Sequence, residues 1–332
     1  MTALLQVKQI SRRFVKKPGA IEKLAGWLGA NVSTQTVHAV DKVSFEVERG
    51  EVVGLVGESG CGKSTLGRMI AGLLAPSDGE LLYEGKVLPM GGDLASRRSR
   101  LRLQMIFQDP MSSLNPRMKV GDIIGEAPVL HGLTSAAGKT DYVAGLLEKV
   151  ALDPSYASRY PHQFSGGQRQ RICIARALAV RPDFLICDES VAALDVSIQA
   201  QIINLFQQLR KDLGLTYLFI SHDLGVIQHL ADRVVVMYLG RVVETGPTEA
   251  LFAAPLHPYT RALLDQVPKL HAGRQAYIPI KGEIASPLNP PPGCHFHTRC
   301  PDAGPRCRRE QPAIQRIGQQ DVACHLHLGG TQ

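Results

Sequence analysis

GESGCGKS, residues Gly57 to Ser64, has the spacing G-x-x-x-x-G-K-[ST] of a loop built to hold phosphate. Gly57, Gly60 and Gly62 allow the backbone to wrap closely and turn its N–H groups inward, with Glu58, Ser59 and Cys61 between them. A helix opening at Lys63 adds the field of its N-terminus, which favours an anion. Lys63 is placed to reach the β- and γ-phosphates, Ser64 to hold Mg²⁺ through its hydroxyl, and Thr65 follows in the first turn. A second stretch, FLICDE, is an apolar run that ends in Asp188 and Glu189. Asp188 suits support of Mg²⁺, and Glu189 can orient and polarise a water for attack on a γ-phosphate. A third stretch, FSGGQRQR (Phe164 to Arg171), sets Ser165, Gly166, Gly167 and Gln168 at a helix start. Its hydroxyl and bare backbone form a second phosphate cradle. Two cradles and one complete pocket imply head-to-tail dimerisation.

The elements around these stretches are legible from periodicity. Residues 3 to 14 alternate as a first strand, VSFEVE (Val43 to Glu48) as a half-buried one, and VVGLVG as a fully buried one before the loop. After Lys63, Leu66, Met69, Ile70, Leu73 and Leu74 fall on one helical face. LQMIFQ, FLICDE, LTYLFIS and RVVVMY read as further buried strands, and residues 111 to 180 mostly as helices with loops. From Asp195, Ile198, Ile202, Leu205, Phe206 and Leu209 mark a helix with Gly214 as its C-cap. Strands alternating with helices predict an α/β fold with a largely parallel sheet covered on both faces. In residues 15 to 37, Ile21, Leu24, Ala25 and Leu28 have helical spacing, which suits packing on the same domain.

With 332 residues the chain is long enough for two or three domains. The net charge of +7 suits anionic partners without choosing between nucleotide, nucleic acid and lipid. The basic run Arg97 to Arg102 reads as a solvated face. No stretch of about 18 apolar residues occurs, and the N-terminus lacks the apolar core of a signal peptide. A cytoplasmic chain is expected, reaching a membrane through partners. Of seven cysteines, Cys173 and Cys187 fall in apolar patterns and read as core. Cys294, Cys300, Cys307 and Cys324 form a C-x5-C-x6-C-x16-C group in a tail rich in Pro, His and Arg. Four thiolates fit tetrahedral Zn²⁺ or a [4Fe–4S] cluster, or stay as reduced thiols; the spacing decides none of these. His295, His297, His325 and His327 stand beside them as possible substitutes. Such a tail has little core of its own, and metal–thiolate bonds can hold it instead.

SGGQ with the loop Gly57–Ser64, Gln108, the Asp188–Glu189 pair and His222 in ISHDL resembles the nucleotide-binding subunit of ABC transporters over about residues 3 to 265. The resemblance implies a P-loop NTPase fold (ABC ATPase) with a helical subdomain. Two subunits would sandwich two ATP molecules, each between one P-loop and the other subunit's SGGQ. Carried over by position, Gln108 binds Mg²⁺ and His222 contacts the γ-phosphate. Phe14 sits where the family places an aromatic against adenine, though a core Phe at a strand end reads as well. The chain departs from the family's D-E-P-x-S-A-L-D: Ser190 replaces Pro and Ala192 replaces Ser, while Asp195 is kept. A weaker cross-talk across the dimer is expected, with hydrolysis retained because Glu189 is present.

FQDPMSSLNPR, HPYTRALL and SPLNPPPGC extend the resemblance to the ATP-binding subunits of oligopeptide, dipeptide and nickel importers, near residue 326. This divides the chain into a nucleotide-binding domain (1–265, helical subdomain about 111–180) and a small Cys-rich C-terminal domain (266–332). It implies a heterodimer with a sister ATP-binding subunit, two transmembrane permeases and an external peptide-binding protein. The chain would then sit peripherally on the cytoplasmic face of the membrane. ATP and Mg²⁺ are the cofactors, and the resemblance favours [4Fe–4S] over zinc in the tail. The cargo stays open between dipeptides or oligopeptides and nickel, glutathione-like or other peptide-derived cargo. The competing class is a soluble ABC ATPase acting on nucleic acid or the ribosome. One SGGQ, one P-loop and no long heptads count against it, so no nucleic acid is expected.

Overall fold

The computed structural model describes residues 3–16, 35–88, 100–192, 194–266 and 282–327. The spacing Ile21–Leu28 and the first half of the basic run Arg97–Arg102 lie outside them. The strands are β1 Leu5–Lys16, β2 Gln35–Val47, β3 Val52–Val56, β4 Asp78–Tyr83, β5 Lys86–Val87, β6 Leu103–Ile106, β7 Phe184–Asp188, β8 Thr216–Ile220, β9 Arg233–Tyr238, β10 Arg241–Pro247, β11 Gln315–Ile317 and β12 Gln320–Val322. They form two sheets, β2-β1-β4-β5 and β11-β12-β10-β9-β3-β8-β7-β6. The run β9-β3-β8-β7-β6 is parallel, as the alternation of strands and helices predicts. The second sheet and the edge β10-β12-β11 are antiparallel, which the periodicity did not specify.

The parallel strands are apolar throughout because both faces are buried. Val52 and Val56 of β3 face one core, with Leu185, Cys187, Tyr217 and Phe219. Val53 and Leu55 face the other, with Phe184, Ile186, Leu218 and Ile220. Cys173 and Cys187 are buried core residues, as their patterns predict. The helix after the P-loop spans Lys63–Ile70, shorter than expected: Gly72 turns left-handed (φ 70°), and Leu73 is 60% exposed. The helices Val120–Leu130, Lys139–Lys149 and Gly166–Leu178 pack on one another within the stretch read as helical. The helix Val196–Leu213 ends where Gly214 adopts φ 65° and donates to Arg210 O.

The tail docks on this body. β12 pairs with β10 at Glu244↔Val322 and Thr245↔Asp321. Phe296, 1% exposed, enters the same core as β3 and packs on Tyr238 and Tyr259. The tail thus shares the core of the body, a means of holding it beside the metal–thiolate bonds expected for a tail with little core of its own.

The HPYT stretch fits this junction. Glu244 is fully buried and accepts from Leu256 N (2.7 Å) and His257 N (2.9 Å), the free donors at a helix start. Burial raises its carboxyl above the usual range, and the hydrogen bonds from the Leu256 and His257 amides oppose that. Burial lowers His257 to about 3, helped by charges at His327 and Arg261. The neutral ring can therefore accept from Tyr259 N at 3.1 Å as N-cap, with Pro258 in the first turn of Pro258–Leu264.

Candidate functional site

The P-loop joins β3 to the helix Lys63–Ile70 at the middle of the large sheet. Gly62 caps the helix at φ 104°, and a Cβ there would collide with the Ala39 carbonyl of β2. Lys63 is 4% exposed, and its Nζ donates to the carbonyls of Gly57 (2.7 Å) and Glu58 (3.0 Å) across the loop's own mouth. The Ser64 hydroxyl donates to Asp188 Oδ1 at 2.8 Å, bringing strand β7 to the loop. Burial raises the Asp188 carboxyl above its ordinary range, partly offset by that hydrogen bond. A hydroxyl and a hard carboxylate oxygen in contact fit Mg²⁺, which takes few protein oxygens and keeps its waters. The ion would relieve the cost of the buried charge at Asp188.

Glu189 has φ 47°, the left-handed region, although it carries a side chain. A backbone held there costs energy and needs support from its surroundings. Its N–H donates to Ile220 O at 2.9 Å on β8. Gln108 Nε2, beyond the end of β6, donates to Glu189 Oε2 at 2.7 Å. His222 Nδ1, beyond the end of β8, stands 3.3 Å from Oε1. Both oxygens of Glu189 are thereby addressed, and its side chain is 13% exposed, so it points in one direction. That is the support a residue positioning a water requires.

The structure thus joins Lys63, Ser64, Gln108, Asp188, Glu189 and His222 into one group. Ser165–Gln168 are not part of it: no hydrogen bond or ion pair among the described residues links them to the P-loop. Ser165 caps the helix Gly166–Leu178 through a reciprocal box, its Oγ accepting from Gln168 N (3.3 Å) while Gln168 Oε1 accepts from Ser165 N (3.0 Å). A Cβ on Gly167 would press into Ile198 of the helix that follows Asp195. Ser165 and Gly166 are exposed, as are Asp195 and Ala192. Val196, beside Asp195, is 83% exposed, an apolar residue the periodicity did not flag. Ser190, in place of the family's Pro, is buried. Phe14 is 39% exposed near the end of β1, with the Arg12 guanidinium 4.7 Å from its ring centre, and is not in the core. Two further side chains reach the P-loop: Tyr259 Oη accepts from Glu58 N at 2.8 Å, and Arg299 pairs with the Glu58 carboxylate. The His-Pro helix start at 257–258 was a readable signal for the first; Arg299 has no local signal.

In the tail, Cys294 N donates to Cys307 O at 2.9 Å. Burial raises the Cys294 thiol, and the neighbouring Cys307 and Cys324 raise it further. Burial also pushes Cys300 up to about 11, with contributions from Asp302, Cys294 and Cys324. Among the described residues, however, no group of three or more His, Cys, Asp or Glu is arranged to hold a metal ion. The tight tetrahedron of a zinc site is not formed. The histidines are engaged elsewhere: His295 contacts Leu239 O (3.3 Å), His297 Cys294 O (2.8 Å), His325 Glu310 O (2.8 Å) and His327 Leu256 O (3.2 Å).

Fold and site define a P-loop ATPase of the ABC class. Solved structures agree: cbiO1 from Clostridium perfringens matches with TM-score 0.62 and 26% identity over 76% of this chain and 91% of that one. The ATP-binding cassette MJ0796, in a dimeric post-hydrolysis state bound to ADP and Pi, matches with TM-score 0.61 and 26% identity over 74% and 98%. The ABC transporter family model matches residues 40–192, and the model for the C-terminal region of oligopeptide/dipeptide transporters matches residues 243–307. The oligopeptide transport ATP-binding protein AppF of Bacillus subtilis is 46% identical over 98% of this chain and 97% of its own length. The dipeptide transport ATP-binding protein DppF is 49% identical in Escherichia coli (87% and 86% covered) and 48% identical in Haemophilus influenzae (90% and 92%). The chain belongs to the oligopeptide/dipeptide transport ATP-binding family of ABC ATPases. No helix among the described residues is long and apolar enough to cross a membrane.

Proposed function

We propose that this chain is the ATP-hydrolysing subunit that powers import of dipeptides or oligopeptides. The observation that carries the reading is the convergence of Ser64, Asp188, Gln108, Glu189 and His222 on one P-loop. In this reading Gly57–Thr65 hold the phosphates, and Lys63 leaves the loop carbonyls for the β- and γ-phosphates. Ser64, Asp188 and Gln108 hold Mg²⁺, Phe14 lies against adenine, and Glu189 orients water with His222 at the γ-phosphate. Ser165–Gln168 and Asp195 serve the ATP of a sister subunit. The exposure of Ser165, Gly166 and Asp195, with that of Val196, supports an interface there. ATP closes the pair and hydrolysis reopens it.

Permease loops dock in the cleft of about 510 Å³ between the P-loop body and the helices, lined by Leu73, Phe107, Ile123 and Leu130. Leu73 and Leu130 are 60% and 77% exposed, which suits an apolar partner. The chain then sits on the cytoplasmic face through two permeases, with an external peptide-binding protein supplying cargo. Residues 1–265 form the nucleotide-binding domain and 266–332 the tail. The [4Fe–4S] assignment to Cys294, Cys300, Cys307 and Cys324 rests on the likeness of this tail to the tails of peptide importers.

Two measurements test this. In an auxotroph with no redundant importer, Lys63→Ala is expected to abolish growth on dipeptides as sole source of the required amino acid. Unchanged uptake would sink the peptide reading and leave nickel or glutathione-like cargo. Protein purified without oxygen is expected to carry about four iron and four sulfide per chain. One zinc, or no metal, removes the cluster from the reading.

A further inference from the structure

The P-loop is held from outside by the C-terminal tail. Arg299 Nη1 and Nη2 donate to Glu58 Oε2 (2.6 Å) and Oε1 (2.9 Å), a two-pronged pair. The side chains are 4% and 20% exposed, so water screens them weakly. The guanidinium is itself fixed, 5.9 Å from the centre of the Tyr238 ring and 6.0 Å from that of Phe296. Glu58 is engaged at every polar group: its N–H by Tyr259, its carbonyl by Lys63 and its carboxylate by Arg299.

A carboxylate on a loop that wraps a polyphosphate is a problem. Like charges at short range in a poorly screened site repel strongly. Arginine stays charged at any working pH, so it neutralises Glu58 permanently. We propose that Arg299 is a positioning residue for the nucleotide site: it cancels the Glu58 charge and aims the carboxylate away from the phosphates, making the C-terminal tail part of the ATP pocket. The inference rests on the reading of Gly57–Ser64 as that pocket.

The test is binding of a non-hydrolysable ATP analogue and of ADP to the full chain. Arg299→Gln keeps a planar polar group but removes the charge. It is expected to weaken the triphosphate on the order of tenfold, and the diphosphate less, with the deficit shrinking as salt rises. Adding Glu58→Gln to that variant removes the repelling charge and should restore binding to within about threefold of wild type. Arg299→Lys, which keeps the charge but not the two-pronged grip, should bind more tightly than Arg299→Gln and less tightly than wild type. A merely structural pair would also be relieved by neutralising Glu58, but its loss would weaken triphosphate and diphosphate alike. The proposal is overturned if Arg299→Gln binds the triphosphate like wild type, or if the double variant stays as weak as the single one. It is overturned equally if Arg299→Lys is as weak as Arg299→Gln. Lys63→Ala separates the two readings: if it too binds like wild type, the pocket assignment itself falls.

Discussion

Replacing Glu189 by Gln is expected to leave ATP binding intact and to slow hydrolysis by a factor of about 10²–10⁴, the range for loss of a positioned general base. The geometry explains why so small a change matters. Glu189 Oε2 accepts from the Gln108 amide and Oε1 faces His222, so the carboxylate's direction is set from two sides. A Gln in its place has one acceptor and one donor. Its NH₂ must face either the Gln108 amide or the His222 ring, and neither arrangement repeats the present one. The backbone at φ 47° stays strained while its chemical use is gone. The substitution touches neither Lys63 nor Ser64, so the phosphates still bind and the closed pair of subunits persists. The measurement is steady-state turnover in the assembled transporter beside ATP retention by the variant. Turnover near wild type would remove Glu189 as the group that orients water; loss of ATP binding would give it a structural part instead.

Much of this site was legible because its chemistry is local. Gly57 to Ser64 is one uninterrupted stretch, and an apolar run ending in Asp188 and Glu189 says where a buried strand stops. The apolar runs of β3, β7, β8 and β9 could be read as buried on both faces, and they are. Pairing between distant strands was less accessible. β1 alternates, yet nothing in it says that it pairs with both β2 and β4 rather than joining the parallel sheet. Short polar strands such as Gln315–Ile317 and Gln320–Val322 have too few residues for a period to declare itself. Leu73 and Leu74 continue the apolar spacing and predict a longer helix after Lys63 than Lys63–Ile70. Gly72, which turns the chain, outweighs them.

The tail was the least legible part, and for a physical reason. Its cysteines and histidines are conspicuous in sequence, so a metal was the natural account of its order. Yet the side chain that enters the body's core is a single Phe, which carries no pattern at all. Arg299 and Glu58 are 241 positions apart, and no local rule can pair them.

Phe296→Ala is therefore expected to destabilise the whole chain, not the tail alone, by about 3–5 kcal/mol. Phe296 meets Tyr238 at 5.2 Å and 83°, Tyr259 at 5.3 Å and 57°, and His257 at 5.8 Å. Tyr238 belongs to β9, beside β3, and Tyr259 to the helix whose hydroxyl holds the P-loop. A cavity at Phe296 loosens both rings, and with them the acceptor for the Glu58 N–H and one aromatic contact of Arg299. The expected record is one cooperative unfolding transition, shifted as a whole, with faster hydrogen exchange at the Glu58 amide in the folded protein. A separate early transition of the tail, with exchange at Glu58 unchanged, would show instead that the tail is an appendage. If the single transition is seen, the tail and the ATP loop share one packed core. The order of residues 282–327 then bears directly on the pocket that Gly57–Ser64 form.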